Sequence, residues 1–195
     1  MTHHVFDPRK LEKLNNPERH HDFPLADIAL RYEISSPQTI VDVGAGTGFF
    51  SICAAECFPN ARVLALDISP EMISYMKTHC SISHPHIHPM QISDTDIHLD
   101  STSADLILMV NLHHELPDCS HSLAECYRIL RPGKHLLVSD WKMDAGPGGP
   151  PRSSRIPVET VRSQLEVAGF ECIGVETDFP RNYLIVAQKR TSGSL

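Results

Sequence analysis

Ile40–Phe50 reads IVDVGAGTGFF, with three glycines at alternate positions between two apolar runs. The apolar run through Val43 suits a buried strand, the glycines a tight turn, and the run from Phe49 a helix. Strand, glycine turn and helix in that order open a nucleotide-binding α/β unit. A dinucleotide loop, G-x-G-x-x-G, needs a third glycine where this chain has Phe49. Asp42 lies two residues before Gly44, where a carboxylate repels a pyrophosphate and attracts a cation.

Around this stretch the chain alternates strand-like and helix-like segments, the pattern of a parallel α/β sheet. Arg62–Asp67 (RVLALD) is a second strand, followed by Ser69 as N-cap and Pro70 at the first helical position of a helix to about His79. His86–Ile92 is a weaker strand and Ala104–Val110 (ADLILMV) a fully buried one. A helix over Ser120–Leu130 is expected to turn at RPGK, Arg131–Lys134, into a strand over His135–Trp141. Lys142–Pro157 is dense in Gly and Pro, as expected for a lid. A helix over Pro157–Ala168 then leads to strands over Phe170–Asp178 and Asn182–Gln188, an antiparallel hairpin. The expected fold is a three-layer Rossmann-like sandwich with a seven-stranded, mostly parallel sheet. Residues 1–23 read as a polar arm over the active site, 24–190 as the domain and 191–195 as a flexible tail.

Composition narrows the function. The chain has 195 residues, 41% apolar and 21% charged, suiting one globular domain. Net charge is -7 with scattered Lys and Arg, which argues against nucleic acid and anionic membranes as partners. No apolar run is long enough to span a bilayer, and the N-terminus has no apolar signal core, so a cytoplasmic protein is expected. The six cysteines form no CxxC pair and read as free thiols. The chain has 13 histidines; His84, His86 and His88 alternate, but Pro85 and Pro89 interrupt them, and no metal is expected.

Asp67 ends the second strand, 25 residues after Asp42, where an acid accepts ribose hydroxyls. A ribose at Asp67, close backbone contact at the glycines and positive charge at Asp42 together describe S-adenosylmethionine (SAM). VDVGAGTG, the strand ending ALDIS, and RILRPGKHLLVSDW resemble motifs of the class I SAM-dependent methyltransferases. The resemblance spans about residues 39–190. FDPRKLEKLNNPER and the DWK…GPP stretch resemble a small bacterial and archaeal branch near the quinone-biosynthesis C-methyltransferases and the arsenite methyltransferases. It implies that Asp42, Gly44, Ala45 and Gly46 line the methionine part of the cofactor, with Gly48 shaping the turn. Asp67 would bind the ribose, Ile68 would flank the adenine, and Ser93 or Asp94 would contact its amino group. Asn111 and Leu112 would face the sulfonium.

Strand four ends in NLHHELPD, which puts His113, His114 and Glu115 where a substrate binds an open α/β sheet. A histidine beside a carboxylate suits a general base, with His114 and Glu115 the favoured pair. Trp141, Lys142 and Arg152 are candidate acceptor-binding residues. The expected partner is a small-molecule methyl acceptor, and the protein a monomer or homodimer. Three rivals stand beside this reading: a SAM-binding protein without turnover, an NAD-dependent oxidoreductase, and a His-rich metal-binding protein.

Overall fold

The computed structural model describes residues 8–93 and 96–191, with the side chains of 8–10 left out. Seven strands form one sheet: β1 (Thr39–Val43), β2 (Arg62–Asp67), β3 (Ile87–Gln91), β4 (Ala104–Val110), β5 (Leu130–Trp141), β6 (Phe170–Glu176) and β7 (Asn182–Lys189). Their order is β3-β2-β1-β4-β5-β7-β6. β1 to β5 run parallel, and β7 pairs antiparallel with both β5 and β6. The expected fold class and closing hairpin are present.

The apolar runs of the central strands follow from cover on both faces. Along β4, Leu106, Leu108 and Val110 enter one core cluster, and Ile107 and Met109 the other. The first face is covered by α3 (Leu25–Arg31), α4 (Phe49–Cys57) and α5 (Pro70–His79), through Ile28, Phe50, Ala54, Ile73 and Met76. The second is covered by α6 (Cys119–Ile129) and α7 (Val158–Val167), through Leu123, Cys126, Val161 and Leu165. Ser69 accepts from Met72 N at 3.3 Å, and Asp118 caps α6 by accepting from Ser120 N at 3.0 Å.

One local reading differs. Arg131–Lys134 does not turn the chain out of the sheet; β5 begins at Leu130 and carries these residues as a bulge. Pairing passes from Ala104–Leu130 to Leu106–His135, so four residues oppose one. Tertiary contacts hold this insertion: Lys189 Nζ donates to Leu130 O at 2.8 Å and Gln188 Nε2 to Gly133 O at 3.0 Å. The described part of the arm contains two short helices, α1 (Pro8–Leu14) and α2 (Arg19–Asp22). No helix among the described residues is long and apolar enough to cross a membrane.

Candidate active site

The strand order reverses between β1 and β4, which opens a crevice at their carboxyl ends. A cavity of about 670 Å³ lies there. Its floor is the glycine loop. Gly44 has φ +71°, which disfavours any side chain there, and a Cβ on it would also push against Leu112 Cδ1 at 2.7 Å. Gly48 does not reach the cavity wall; it starts α4 at φ +80° against Cys80 and Met76.

Asp67 ties this loop to β2. Its Oδ2 accepts from Gly46 N at 2.7 Å and its Oδ1 from Ser69 N at 2.9 Å. Each oxygen keeps a second lone pair, and the side chain lines the cavity. That geometry suits a vicinal diol. Asp42 is 2% exposed and accepts from Ser51 Oγ at 2.6 Å. Burial pushes its carboxyl up to about 6, against the Ser51 hydrogen bond and the charge of Arg19.

Arg19, from α2, also lines the cavity. The sequence reading missed it, because nothing in NNPERHHD fixes how the arm folds back. Its guanidinium lies 4.5 Å from the Phe50 ring centroid and donates to Leu14 O. Burial lowers its pKa to about 10, with Asp42 opposing, so it stays charged at neutral pH. Arg19 is the one Arg or Lys among the described wall residues, against six carboxylates: Asp42, Asp67, Glu71, Asp96, Glu115 and Glu125. Such a wall is unsuited to a pyrophosphate. Ile68, Ile92 and Ser93 also line the cavity, and Ile68 is 55% exposed. Asp94 lies outside the described residues; Asp96 and His121, which the sequence did not single out, reach the wall.

The candidate acceptor residues are placed differently. Asn111 and Glu115 line the cavity; His113, His114, Trp141, Lys142 and Arg152 are not part of its wall. His113 is 1% exposed, its Nε2 pairs with Gln164 Oε1 at 2.8 Å, and burial lowers its pKa. His114 is held from two sides by Asp140: its backbone N donates to Oδ2 at 3.0 Å, and Nδ1 pairs with Oδ1 at 2.8 Å. Its Nε2 lies 3.7 Å from Glu115 Oε1. Burial opposes the charged imidazolium, but the Asp140 hydrogen bond and charge, with Glu115, raise its pKa overall. Lys142 Nζ donates to Thr177 O at 3.2 Å and Phe179 O at 2.8 Å, and so closes the hairpin turn. Trp141 packs against Gly149, where a Cβ would come within 2.7 Å of the indole. Arg155 donates to the carbonyls of Pro150 and Gly148 at 3.1 and 3.0 Å, stitching the expected lid into a fixed loop. Arg152 is exposed in a 3-10 turn. Among the described residues, no three His, Cys, Asp or Glu side chains are grouped to hold a metal.

Comparison with known proteins agrees with this geometry. Residues 40–133 match the family model described as a methyltransferase domain. Over 105 residues the chain is 35% identical to a malonyl-[acyl-carrier protein] O-methyltransferase of Hahella chejuensis, covering 53% of this chain and 36% of that one. It is 23% identical over 150 residues to an arsenite methyltransferase of Halobacterium salinarum, covering 71% and 38%. The chain thus spans little more than a third of the length of these curated relatives. Nearly the whole chain superimposes on a SAM-dependent methyltransferase from Aquifex aeolicus: TM-score 0.82, 27% identity, with 94% of this chain and 98% of that one covered.

Proposed function

We propose that this chain is a SAM-dependent methyltransferase that moves a methyl group from SAM to a small-molecule acceptor, in line with its similarity to a methyltransferase domain and to methyltransferases. The observation that carries this reading is the Asp67–glycine loop arrangement, with both carboxylate oxygens tied to backbone N–H groups and still facing a cavity. Asp67 holds the ribose hydroxyls. Gly44, Ala45 and Gly46 let the methionine tail lie against the backbone, Asn111 and Leu112 face the sulfonium, and Ile68 flanks the adenine beside Ser93. Asp42 meets the tail's ammonium and Arg19 its carboxylate, opposite charges matched to a zwitterion. The bound cofactor supplies an electrophilic methyl on a sulfonium. The protein's main contribution is alignment, since holding donor and acceptor in line removes an entropic barrier.

Asn111 and Glu115 stand on the wall where the acceptor would approach. When the acceptor atom carries a proton, Glu115 receives it, backed by His114 and Asp140. His113 supports this segment through Gln164. Trp141, Lys142 and Arg152 act at most at the outer rim. No cysteine lies among the described wall residues, so a thiophilic acceptor such as arsenite is the poorer fit. The arm, through Leu14 and Arg19, shields the cavity from water.

The test is calorimetric titration with S-adenosylhomocysteine (SAH), for the wild type and Asp67→Ala. We expect micromolar binding that the substitution weakens by at least about 10-fold, or 1.4 kcal/mol. Folded, ligand-free wild-type protein that ignores SAH would sink the proposal.

A further inference from the structure

α2 puts the cavity's one described arginine in place, yet it is a single turn of four residues with no side-chain N-cap. A helix that short does not hold itself in water. Its last residue, Asp22, is 4% exposed and fully engaged by one partner far along the chain. Arg181 N donates to Asp22 Oδ1 at 3.0 Å, and Arg181 Nε and Nη2 approach Oδ2 at 2.8 and 2.7 Å. Arg181 lies in the turn before β7, and its own carbonyl accepts from Lys142 N at 2.9 Å as the chain leaves β5. Its guanidinium also stands 6.0 Å from the Trp141 ring centroid. The partner is therefore anchored to the sheet, and its grip on Asp22 adds to the contacts α2 makes with α4, where His20 lies 4.7 Å from the Phe49 ring and Arg19 4.5 Å from the Phe50 ring.

Charge adds a second reason. Arg19 and Arg181 are two cations near one another, and Asp22 offsets one of them. We propose that Asp22 and Arg181 are positioning residues: a latch that holds α2 so that the Arg19 guanidinium stays seated at the amino-acid end of the cofactor cavity. This rests on the reading above, that Arg19 meets the cofactor's carboxylate. The latch acts on the tail alone, because the ribose and adenine contacts come from β2, β3 and β4. Its loss therefore changes affinity only for ligands that carry the amino-acid tail.

Two probes separate these cases: SAH, which carries the tail, and 5′-methylthioadenosine, which lacks it. Both are titrated into the wild type, Asp22→Asn, Arg181→Lys and Arg19→Gln, with thermal melting to confirm folding. Asp22→Asn is expected to weaken SAH by about five-fold or more and methylthioadenosine by less than about two-fold. Arg181→Lys keeps the charge but loses the fork, and falls between wild type and Asp22→Asn. In an Arg19→Gln background, Asp22→Asn should add little, since both changes remove one interaction. Wild-type SAH affinity in folded Asp22→Asn overturns the latch, as does an equal loss for both probes or full additivity with Arg19→Gln. Wild-type protein that binds neither probe overturns instead the cofactor reading on which the latch rests.

Discussion

The two ends of the crevice treat polar side chains in opposite ways. Around β1 and β2, Asp42 and Asp67 keep lone pairs directed at an open cavity. Around β4 and β5, His114 pairs with Asp140, His113 with the Gln164 side chain, and Lys142 with backbone carbonyls. The first arrangement is preorganised for a defined ligand; the second is a buried polar layer beneath the wall that Asn111 and Glu115 join, in which His113 Nδ1, Asn182 Oδ1 and the Tyr183 hydroxyl have no hydrogen-bond partner among the described residues. A common cofactor and a variable acceptor would leave such a contrast.

The comparison is broken most forcefully at Asp140. Asp140→Ala removes the acceptor for His114 Nδ1, His114 N and Trp141 N together. We expect a loss of about 3 kcal/mol in urea unfolding. Folded His114 holds its proton more tightly than the unfolded chain does. The pair's stabilisation is therefore complete below about pH 6.5, the ordinary histidine value, and is lost as pH rises through the higher folded value. The gap between wild type and variant should narrow accordingly. A pH-independent gap would mean the imidazolium does not take part.

Asp42 sharpens the other half. Its carboxyl is raised from 3.8 to about 6, so the free protein pays a stability penalty that grows from pH 4 to 6. A bound ammonium prefers the ionised form. SAH affinity should rise about ten-fold between pH 5 and 7 as the ionised fraction goes from about 0.1 to 0.9. Asp42→Asn should flatten this profile, and an unchanged slope in the variant would assign it to another group. The smallest effect is expected at the rim, where Arg152→Ala should change stability and SAH affinity by less than about 0.5 kcal/mol. A larger loss of SAH affinity would bring the Gly/Pro loop into the cofactor site.

The fold and the glycine-loop half of the crevice were legible because both rest on short-range rules. Alternating elements, a glycine loop and an acid at the end of the second strand are all local in sequence. The acceptor half was not, since nothing in NLHHELPD says that Asp140 captures His114 or that Gln164, 51 residues on, captures His113. The sequence alone thus determined the strands, the sheet class and the acids at 42 and 67, through hydrophobic period and backbone geometry. Tertiary structure decided that RPGK is a bulge, that the Gly/Pro loop is stitched by Arg155, and that Arg19 reaches the cavity. Each depends on a partner distant along the chain, and only burial and charge pairing in three dimensions choose that partner.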